Sequence, residues 1–87
     1  MWVVYVIQHT ATLALYIGFT DNLKRRIIEH NQGSNKSTRR KIGKWIFVYA
    51  EAYRSEQDAR ERERKLKQYG SSKQRLLKRI KRGLITG

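Results

Sequence analysis

The fold is decided by residues 2–19, which read WVVYVIQHTATLALYIGF. β-Branched and aromatic residues fill both ends of this stretch, at residues 2–7 and 13–19, and such residues favour strands. The segment between them, residues 9–12, has the length of a hairpin connection. The pattern predicts two neighbouring strands joined as a hairpin.

A third strand is predicted at residues 45–50, where the chain reads WIFVYA and could continue to Tyr53. Because side chains alternate along a strand, Trp45, Phe47 and Tyr49 should share one face. Trp45 and Phe47 are assigned to the core, since large aromatic residues are the main filling that so small a protein has. Three strands are enough for a minimal sheet.

The first helix is predicted to start at Thr20 or Asp21, because a short side-chain oxygen there can accept an otherwise unpaired backbone N–H. It should run to about Asn31, with Gly33 suited to the left-handed conformation that follows many helices. The basic segment after Gly33 then separates this helix from the third strand.

A second helix is predicted to start at Ser55, which with Asp58 three residues later resembles a capping box, and to end near Gly70. Ser71 or Ser72 is then expected to cap a last helix. The predicted order is β-β-α-β-α-α, which is an α/β (α+β) fold class.

Composition limits what the protein can be. Its 87 residues predict one domain over residues 1–87. The absence of cysteine excludes disulfides, thiolate zinc sites and a cysteine nucleophile. The longest apolar run, residues 2–7, is too short to span a bilayer and lacks the flanks of a signal peptide, so a cytoplasmic protein is expected.

The charge is strongly one-sided, with 20 Lys and Arg against 7 Asp and Glu and a net charge of +13. Residues 33–44, GSNKSTRRKIGK, hold five cations and no acid, which predicts a flexible basic loop. Residues 60–82 add eleven cations and only two acids. Such a footprint indicates a polyanion, and nucleic-acid backbone in particular. The residues predicted to contact it are Lys36, Arg39, Arg40, Lys41, Lys44, Lys67 and Lys73.

Five side chains stand out as candidates for chemistry. Tyr5 and Tyr16 lie on the two strands of the hairpin and could face each other. At 100° per residue, Arg26 and His30 border the apolar stripe of the first helix. On the second helix Glu63 falls on the inward face, where a carboxylate is unusual.

Together these residues belong to an ordered set of motifs: Val4-Tyr5-Val6, Tyr16-Ile17-Gly18-Phe19-Thr20, Arg26 with His30, and Glu63 before Leu66-Lys67. In this set the sequence resembles the GIY-YIG nuclease superfamily over about residues 3–77, and it is similar to the catalytic domain of bacterial excision-repair nucleases. The resemblance implies a three-stranded antiparallel sheet flanked by helices, and a metal-dependent site that hydrolyses DNA phosphodiesters.

By position, the resemblance makes Tyr5 and Tyr16 the two motif tyrosines, Arg26 the helix arginine, His30 the residue one turn later, and Glu63 the ligand of one divalent ion, Mg²⁺ or Mn²⁺. Arg26 and the metal would stabilise phosphoryl charge. Tyr5 is the favoured proton acceptor with His30 as relay, while Tyr16 positions water or phosphate; the reverse order of the tyrosines stays open. A monomer is expected, with a protein partner possible for specificity.

Departures from the family pattern are few. Val4 stands where the first motif has glycine, and Phe19 where some members carry a lysine near the general base. A downstream asparagine of some members has no clear counterpart after Gly70. These differences concern the subfamily more than the superfamily.

Other interpretations remain at this point. The protein could be a non-catalytic basic nucleic-acid-binding protein, such as a decayed nuclease of the same fold. Binding to an anionic membrane is a third and weaker interpretation, because membrane binding needs a broad apolar face and the last helix offers only a narrow apolar stripe. Glu63 could be an ordinary ion-pair partner of Lys67. His9 lies in a predicted loop without an obvious partner and receives no role.

Overall fold

The computed structural model describes residues 1–33 and 42–86, which form a three-stranded sheet and three helices. The strands are β1 (Trp2–His9), β2 (Leu15–Thr20) and β3 (Trp45–Tyr53). The helices are α1 (Leu23–Asn31), α2 (Glu56–Gln68) and α3 (Gly70–Ile80), and a short 3₁₀ turn follows at Lys81–Gly83. The predicted fold class and element order are confirmed.

The sheet has the order β2-β1-β3, and β1 pairs antiparallel with both neighbours. Because β1 is central and covered on both faces, its residues from Val4 to His9 are all buried. Pairing with β2 sets Tyr5 opposite Gly18 and Ile7 opposite Tyr16. This register decides which side chains can meet at the site.

Helices cover both faces of the sheet. On one face, Val4, Val6 and Ile17 pack against α2 and α3 in a core that includes Ala59, Leu66 and Leu76. On the opposite face, Tyr5, Ile7 and Trp45 pack against α1 through its apolar residues Leu23 and Ile27. These are called the α2 face and the α1 face below.

An irregularity in β3 changes which face its residues occupy. Val6 pairs with Tyr49 while Ile7 pairs with Phe47, so Val48 is an extra residue between two consecutive pairs. The extra residue shifts the alternation, and Tyr49 packs with the core of the α2 face while Trp45 packs on the α1 face. The prediction of one shared face therefore holds for Trp45 and Phe47, whose ring meets Tyr5 of the α1 face, and is wrong for Tyr49.

Phe47 also departs from expectation. Its side chain is 38% exposed, whereas Trp45 is only 3% exposed. The ring of Phe47 meets that of Tyr5 edge to face, with centroids 6.1 Å apart. The core assignment is confirmed for Trp45 and wrong for Phe47, because Phe47 lies on the outer strand β3 at the edge of the area that α1 covers.

The helix ends follow side-chain capping in two cases. The cap of α1 is Asn22, whose Oδ1 accepts the backbone N–H of Arg25, and not Thr20 or Asp21 as predicted. Thr20 is the last residue of β2. Ser55 caps α2 as predicted, by accepting the backbone N–H of Asp58.

The predicted start of α3 is wrong. The helix starts at Gly70, and the preceding residue, Tyr69, makes no side-chain capping bond. Ser71 and Ser72 lie inside the first turn, so neither is the cap. After α1, in contrast, Gly33 has φ +76°, in the left-handed conformation that the sequence predicts.

The hairpin turn lies later in the chain than predicted, because β1 extends to His9, β2 begins at Leu15, and Leu13 has φ +65°, a turn conformation outside the strand region. His9 is the last residue of β1 and is fully buried. Its Nδ1 accepts the backbone N–H groups of Ala11 and Thr12, each at 3.2 Å. The expectation that His9 has no partner is wrong, since it organises the turn.

Two further expectations concern the basic loop and the membrane. Lys36, Arg39, Arg40 and Lys41 of the predicted basic loop lie outside the described residues. Across residues 1–33 and 42–86, none of the helices has the length and apolar character needed to cross a bilayer.

Candidate active site

The centre of the site is a hydrogen bond between Tyr5 and His30. The Tyr5 hydroxyl oxygen lies 2.9 Å from His30 Nε2, and the two side chains are 0% and 1% exposed. Tyr5 comes from the middle of the central strand and His30 from the last turn of α1. The bond therefore joins the sheet to the helix that covers its α1 face.

Gly18 makes room for the Tyr5 ring. The ring crosses from β1 over its pairing partner on β2, and a Cβ atom on Gly18 would lie 2.5 Å from the Tyr5 hydroxyl oxygen and 2.7 Å from Cζ. The same atom would meet Tyr16 Cε1 at 3.1 Å. Any side chain at position 18 would thus push the phenol away from its place. Glycine inside a strand is the sequence signal for such a close approach, although the sequence-based predictions give Gly18 no role.

An aromatic cluster surrounds the hydrogen-bonded pair. The Tyr16 ring lies 4.9 Å from the His30 ring in an edge-to-face arrangement, and Trp45 closes the cluster 6.5 Å from His30. Asn31 holds the backbone of Trp45, because Trp45 N–H donates to Asn31 Oδ1 at 2.7 Å and Asn31 Nδ2 donates to the Trp45 carbonyl at 3.2 Å. The end of α1 is thereby fixed to the start of β3.

Burial decides the protonation of the pair. Burial, together with the positive charge of Arg26 and against the opposing charge of Glu29, lowers the pKa of His30 to about 4. Burial also raises the pKa of Tyr5, although the nearby Arg26 guanidinium acts in the opposite direction. At neutral pH the pair is therefore a phenol beside a neutral imidazole, and we assign the hydroxyl as donor to Nε2.

Arg26 reaches the same place from α1. Its Nη1 lies 3.3 Å from Glu29 Oε1, and its side chain is largely shielded from solvent. The guanidinium lies close enough to the pair for its charge to lower the pKa of His30 and to oppose the rise in the pKa of Tyr5. Glu29, which no sequence signal singled out, orients it.

Glu63 approaches from α2, at the β2 side of the sheet. Its side chain is 19% exposed and its Oε2 lies 3.7 Å from Lys67 Nζ, so the ion pair considered as an alternative is formed. The ammonium of Lys67 lies 5.4 Å from the centre of the Tyr16 ring. The negative charge of Glu63 also raises the pKa of Tyr5. An ion pair and a place beside the tyrosines are therefore compatible.

A metal ion would have one carboxylate here. Among residues 1–33 and 42–86, no three His, Cys, Asp or Glu side chains stand close enough to enclose an ion. Mg²⁺ keeps several waters and often takes only one or two protein carboxylates, so the partly exposed Glu63 suits a largely hydrated ion. Lys67 is half exposed and can swing aside to admit it.

Two of the cations predicted to bind nucleic acid border this site. Lys67 and Lys73 line a cavity of about 230 Å³ beside β2, together with Leu15, Tyr16 and Ile17. Lys44 does not line it. The backbone of Lys44 instead bonds to Thr10, at the end of β1 beyond His9.

Phe19, where some family members have lysine, does not enter the site. It pairs across the strands with Val4 and packs against the core of the α2 face, with its ring 6.0 Å from that of Trp2. The guanidinium carbon of Arg60 lies 5.4 Å from the ring centre on the same side. Any activation of a tyrosine must therefore come from residues other than position 19.

The class that the fold and the site define is a small α+β domain with two tyrosines, a histidine, an arginine and a glutamate gathered at one edge of its sheet. The family model of the GIY-YIG catalytic domain matches residues 1–76. The chain therefore belongs to the GIY-YIG family.

Comparison with known proteins gives two relatives. A UPF0213 protein of Desulfotalea psychrophila is 36% identical over 80 residues, which cover 87% of this chain and 69% of the relative. A UPF0213 protein of Staphylococcus haemolyticus is 37% identical over 70 residues, covering 77% of this chain and 79% of the relative. Neither name states an activity. No solved structure matches the chain significantly.

Substitution of Gly18 tests the close approach of Tyr5. Gly18→Ala should lower the free energy of unfolding by about 1–3 kcal/mol, because the added methyl group overlaps the phenol. Gly70→Ala is the matched control, since a Cβ there meets nothing within 4 Å. Urea unfolding measures both. Equal stability of the two variants would contradict the placement of the Tyr5 ring.

Acid should destabilise the protein through His30. Its folded pKa of about 4 lies below the ordinary value of 6.5, so the unfolded state binds the proton first as pH falls. The stabilisation that comes from keeping the imidazole neutral is fully present above pH 6.5 and is lost as pH falls toward 4. At pH 5 the free energy of unfolding should already have fallen by about 2 kcal/mol. Urea unfolding at pH 7 and pH 5 should show this loss, and His30→Gln should show it diminished by that amount. The same pH dependence in both proteins would refute the buried neutral imidazole.

Proposed function

We propose that this protein is a metal-dependent endonuclease that hydrolyses phosphodiester bonds in DNA. The observation that carries the proposal is the buried hydrogen bond between Tyr5 and His30, placed beside Arg26 and Glu63 in a chain of the GIY-YIG family. The constellation supports acid–base chemistry at this edge of the sheet.

The proton path follows from the protonation of the pair. Tyr5 carries its proton at neutral pH and so cannot simply remove one from water. Its hydroxyl oxygen accepts a proton from the attacking water while its own proton passes to His30 Nε2. The low pKa of His30 makes the imidazolium short-lived, so His30 passes the proton on to solvent, while the oxygen that leaves the cleaved phosphodiester takes up a proton from water. Tyr16 lies beside both rings and positions water or phosphate.

Arg26 and Glu63 serve the phosphoryl group. The planar guanidinium of Arg26, held by Glu29, donates to phosphate oxygens as negative charge builds on them. Glu63 would hold the divalent ion, Mg²⁺ or Mn²⁺, which when bound polarises the phosphoryl oxygen. Lys67 and Lys73 line the cavity beside Tyr16 and attract the substrate backbone.

The remaining parts of the proposal concern the setting. A net charge of +13 supports DNA as the partner, bound mainly through its backbone. We further propose that the protein acts as a monomer in the cytoplasm and takes part in DNA repair. A protein partner would supply its specificity. The competing function, binding of nucleic acid without cleavage, is an outcome of the experiments that follow.

Glu63→Gln tests the metal ligand. The variant should no longer cleave plasmid DNA in Mg²⁺ or Mn²⁺ because the amide is a poor ligand, while it keeps the fold and DNA binding. Glu61→Gln, two residues away and exposed, is the control and should cleave like the unchanged protein. Chelator should stop cleavage in both active proteins. Undiminished cleavage by Glu63→Gln would sink the metal assignment, and no cleavage by any protein would favour the binding function.

Tyr5→Phe tests the general base. The change removes the hydroxyl but keeps the ring over Gly18, so the fold should persist while single-turnover cleavage slows by about 10²- to 10⁴-fold. Tyr69→Phe, at an exposed tyrosine, is the matched control and should leave the rate unchanged. Tyr16→Phe should slow the reaction less than Tyr5→Phe. If Tyr16→Phe is instead the slower variant, the order of the two tyrosines is reversed.

A further inference from the structure

A second cationic site lies between α2 and α3, away from Tyr5 and Tyr16. A cavity of about 180 Å³ opens there, and three of its five lining residues are arginines. The lining residues are Arg62, Ser72, Arg75, Leu76 and Arg79. They are called the arginine cleft here. A water molecule in the liquid occupies about 30 Å³, so the cleft has room for a phosphate group with a few waters.

One wall of the cleft is rigid. Arg62 Nε donates to Glu51 Oε1 at 2.6 Å, and Glu51 also accepts the hydroxyls of Tyr49 at 2.6 Å and Tyr53 at 2.8 Å. Burial raises the pKa of Glu51, but these three donors outweigh it and leave that pKa below its usual value. Glu51 therefore stays ionised and fixes the direction of Arg62, whose terminal nitrogens remain for a ligand.

The other wall carries unneutralised charge. Arg75 and Arg79 lie one turn apart on α3, and across residues 1–33 and 42–86 neither forms an ion pair. Three guanidinium groups thus face one carboxylate, Glu51, which already serves Arg62. Guanidinium forks suit phosphate oxygens in geometry and charge, and the hydroxyl of Ser72 adds a further donor.

The cleft and the candidate active site lie on different sides of α2. Glu51 belongs to β3, whereas Tyr16 and the Glu63–Lys67 pair are at β2. The central strand lies between β2 and β3, so the two strands beside these places are about 10 Å apart in the sheet. Two consecutive residues of α2 contribute to the two places: Arg62 lines the cleft and Glu63 lies at the candidate active site. They can do so because successive residues point about 100° apart around a helix.

We propose that the arginine cleft binds a phosphodiester of the DNA strand at a distance from the bond that is cut. This inference rests on the proposed function. A ligand that occupies both places must be extended and carry repeated phosphates, which describes a nucleic-acid backbone. The cleft then acts as a second anchor that lays the strand across α2 and fixes which phosphate reaches Glu63.

The test compares two variants of equal charge. Arg75→Gln with Arg79→Gln removes two cations from the cleft, and Lys24→Gln with Arg54→Gln removes two exposed cations elsewhere. Binding of a labelled DNA duplex is measured by fluorescence anisotropy in chelator, so that no cleavage occurs, over a range of salt concentrations. In the cleft variant the negative slope of log affinity against log salt should become shallower by about 0.9 for each phosphate that is no longer neutralised, and in the control it should not. Arg75→Lys with Arg79→Lys should keep the original slope, because the charge is retained.

The arms separate the possible failures. The proposal would be overturned if the salt slope of the cleft variant were unchanged, or if the slope of the control became shallower by the same amount. A second arm adds inorganic phosphate at constant ionic strength and follows thermal unfolding. If phosphate stabilises the unchanged protein but not the cleft variant while the DNA slopes agree, the cleft binds a free phosphate and not the backbone. Because binding is measured without catalysis, failure of the nuclease proposal would leave this result interpretable.

Discussion

The hydrogen bond between Tyr5 and His30 is the constraint on which the rest of the structure depends. Two polar side chains are buried in a small core, and a buried polar group without a partner costs about 1–3 kcal/mol. Each therefore requires the other, and both require room, which Gly18 provides. The bond also fixes α1 on the sheet, so that Arg26 on the same helix arrives beside the phenol.

The fold is largely predictable because several of its helix ends are set by local sequence. Ser55 and Gly33 act through their own backbone neighbours, so their sequence positions reveal where α2 begins and where α1 ends. The errors in the strands and their turn occur where distant parts of the chain decide the local structure. The extra residue Val48 in β3 depends on pairing with β1, and the turn at Leu13 depends on how His9 is buried. Alternation along a single strand contains no information about either.

The candidate site is predictable in its members but not in its arrangement. Periodicity places Arg26 and His30 together on α1, and the family resemblance identifies the tyrosines and Glu63. The protonation of the pair cannot be predicted from the sequence, because burial, which lowers the pKa of His30 to about 4, is a property of the packed structure. The resulting picture is a site that is nearly uncharged at its centre, with Arg26, Glu63 and the lysines at its margin.

The most direct test of this account is the protonation state of His30, measured by ¹⁵N NMR of the imidazole nitrogens between pH 8 and pH 4. The account predicts a neutral ring down to about pH 5, with Nε2 unprotonated and accepting the Tyr5 hydroxyl, and titration near pH 4. Tyr5→Phe should move the Nε2 signal while the ring stays neutral at pH 7. A histidine that titrates near 6.5, or whose Nε2 does not respond to removal of the hydroxyl, would contradict it.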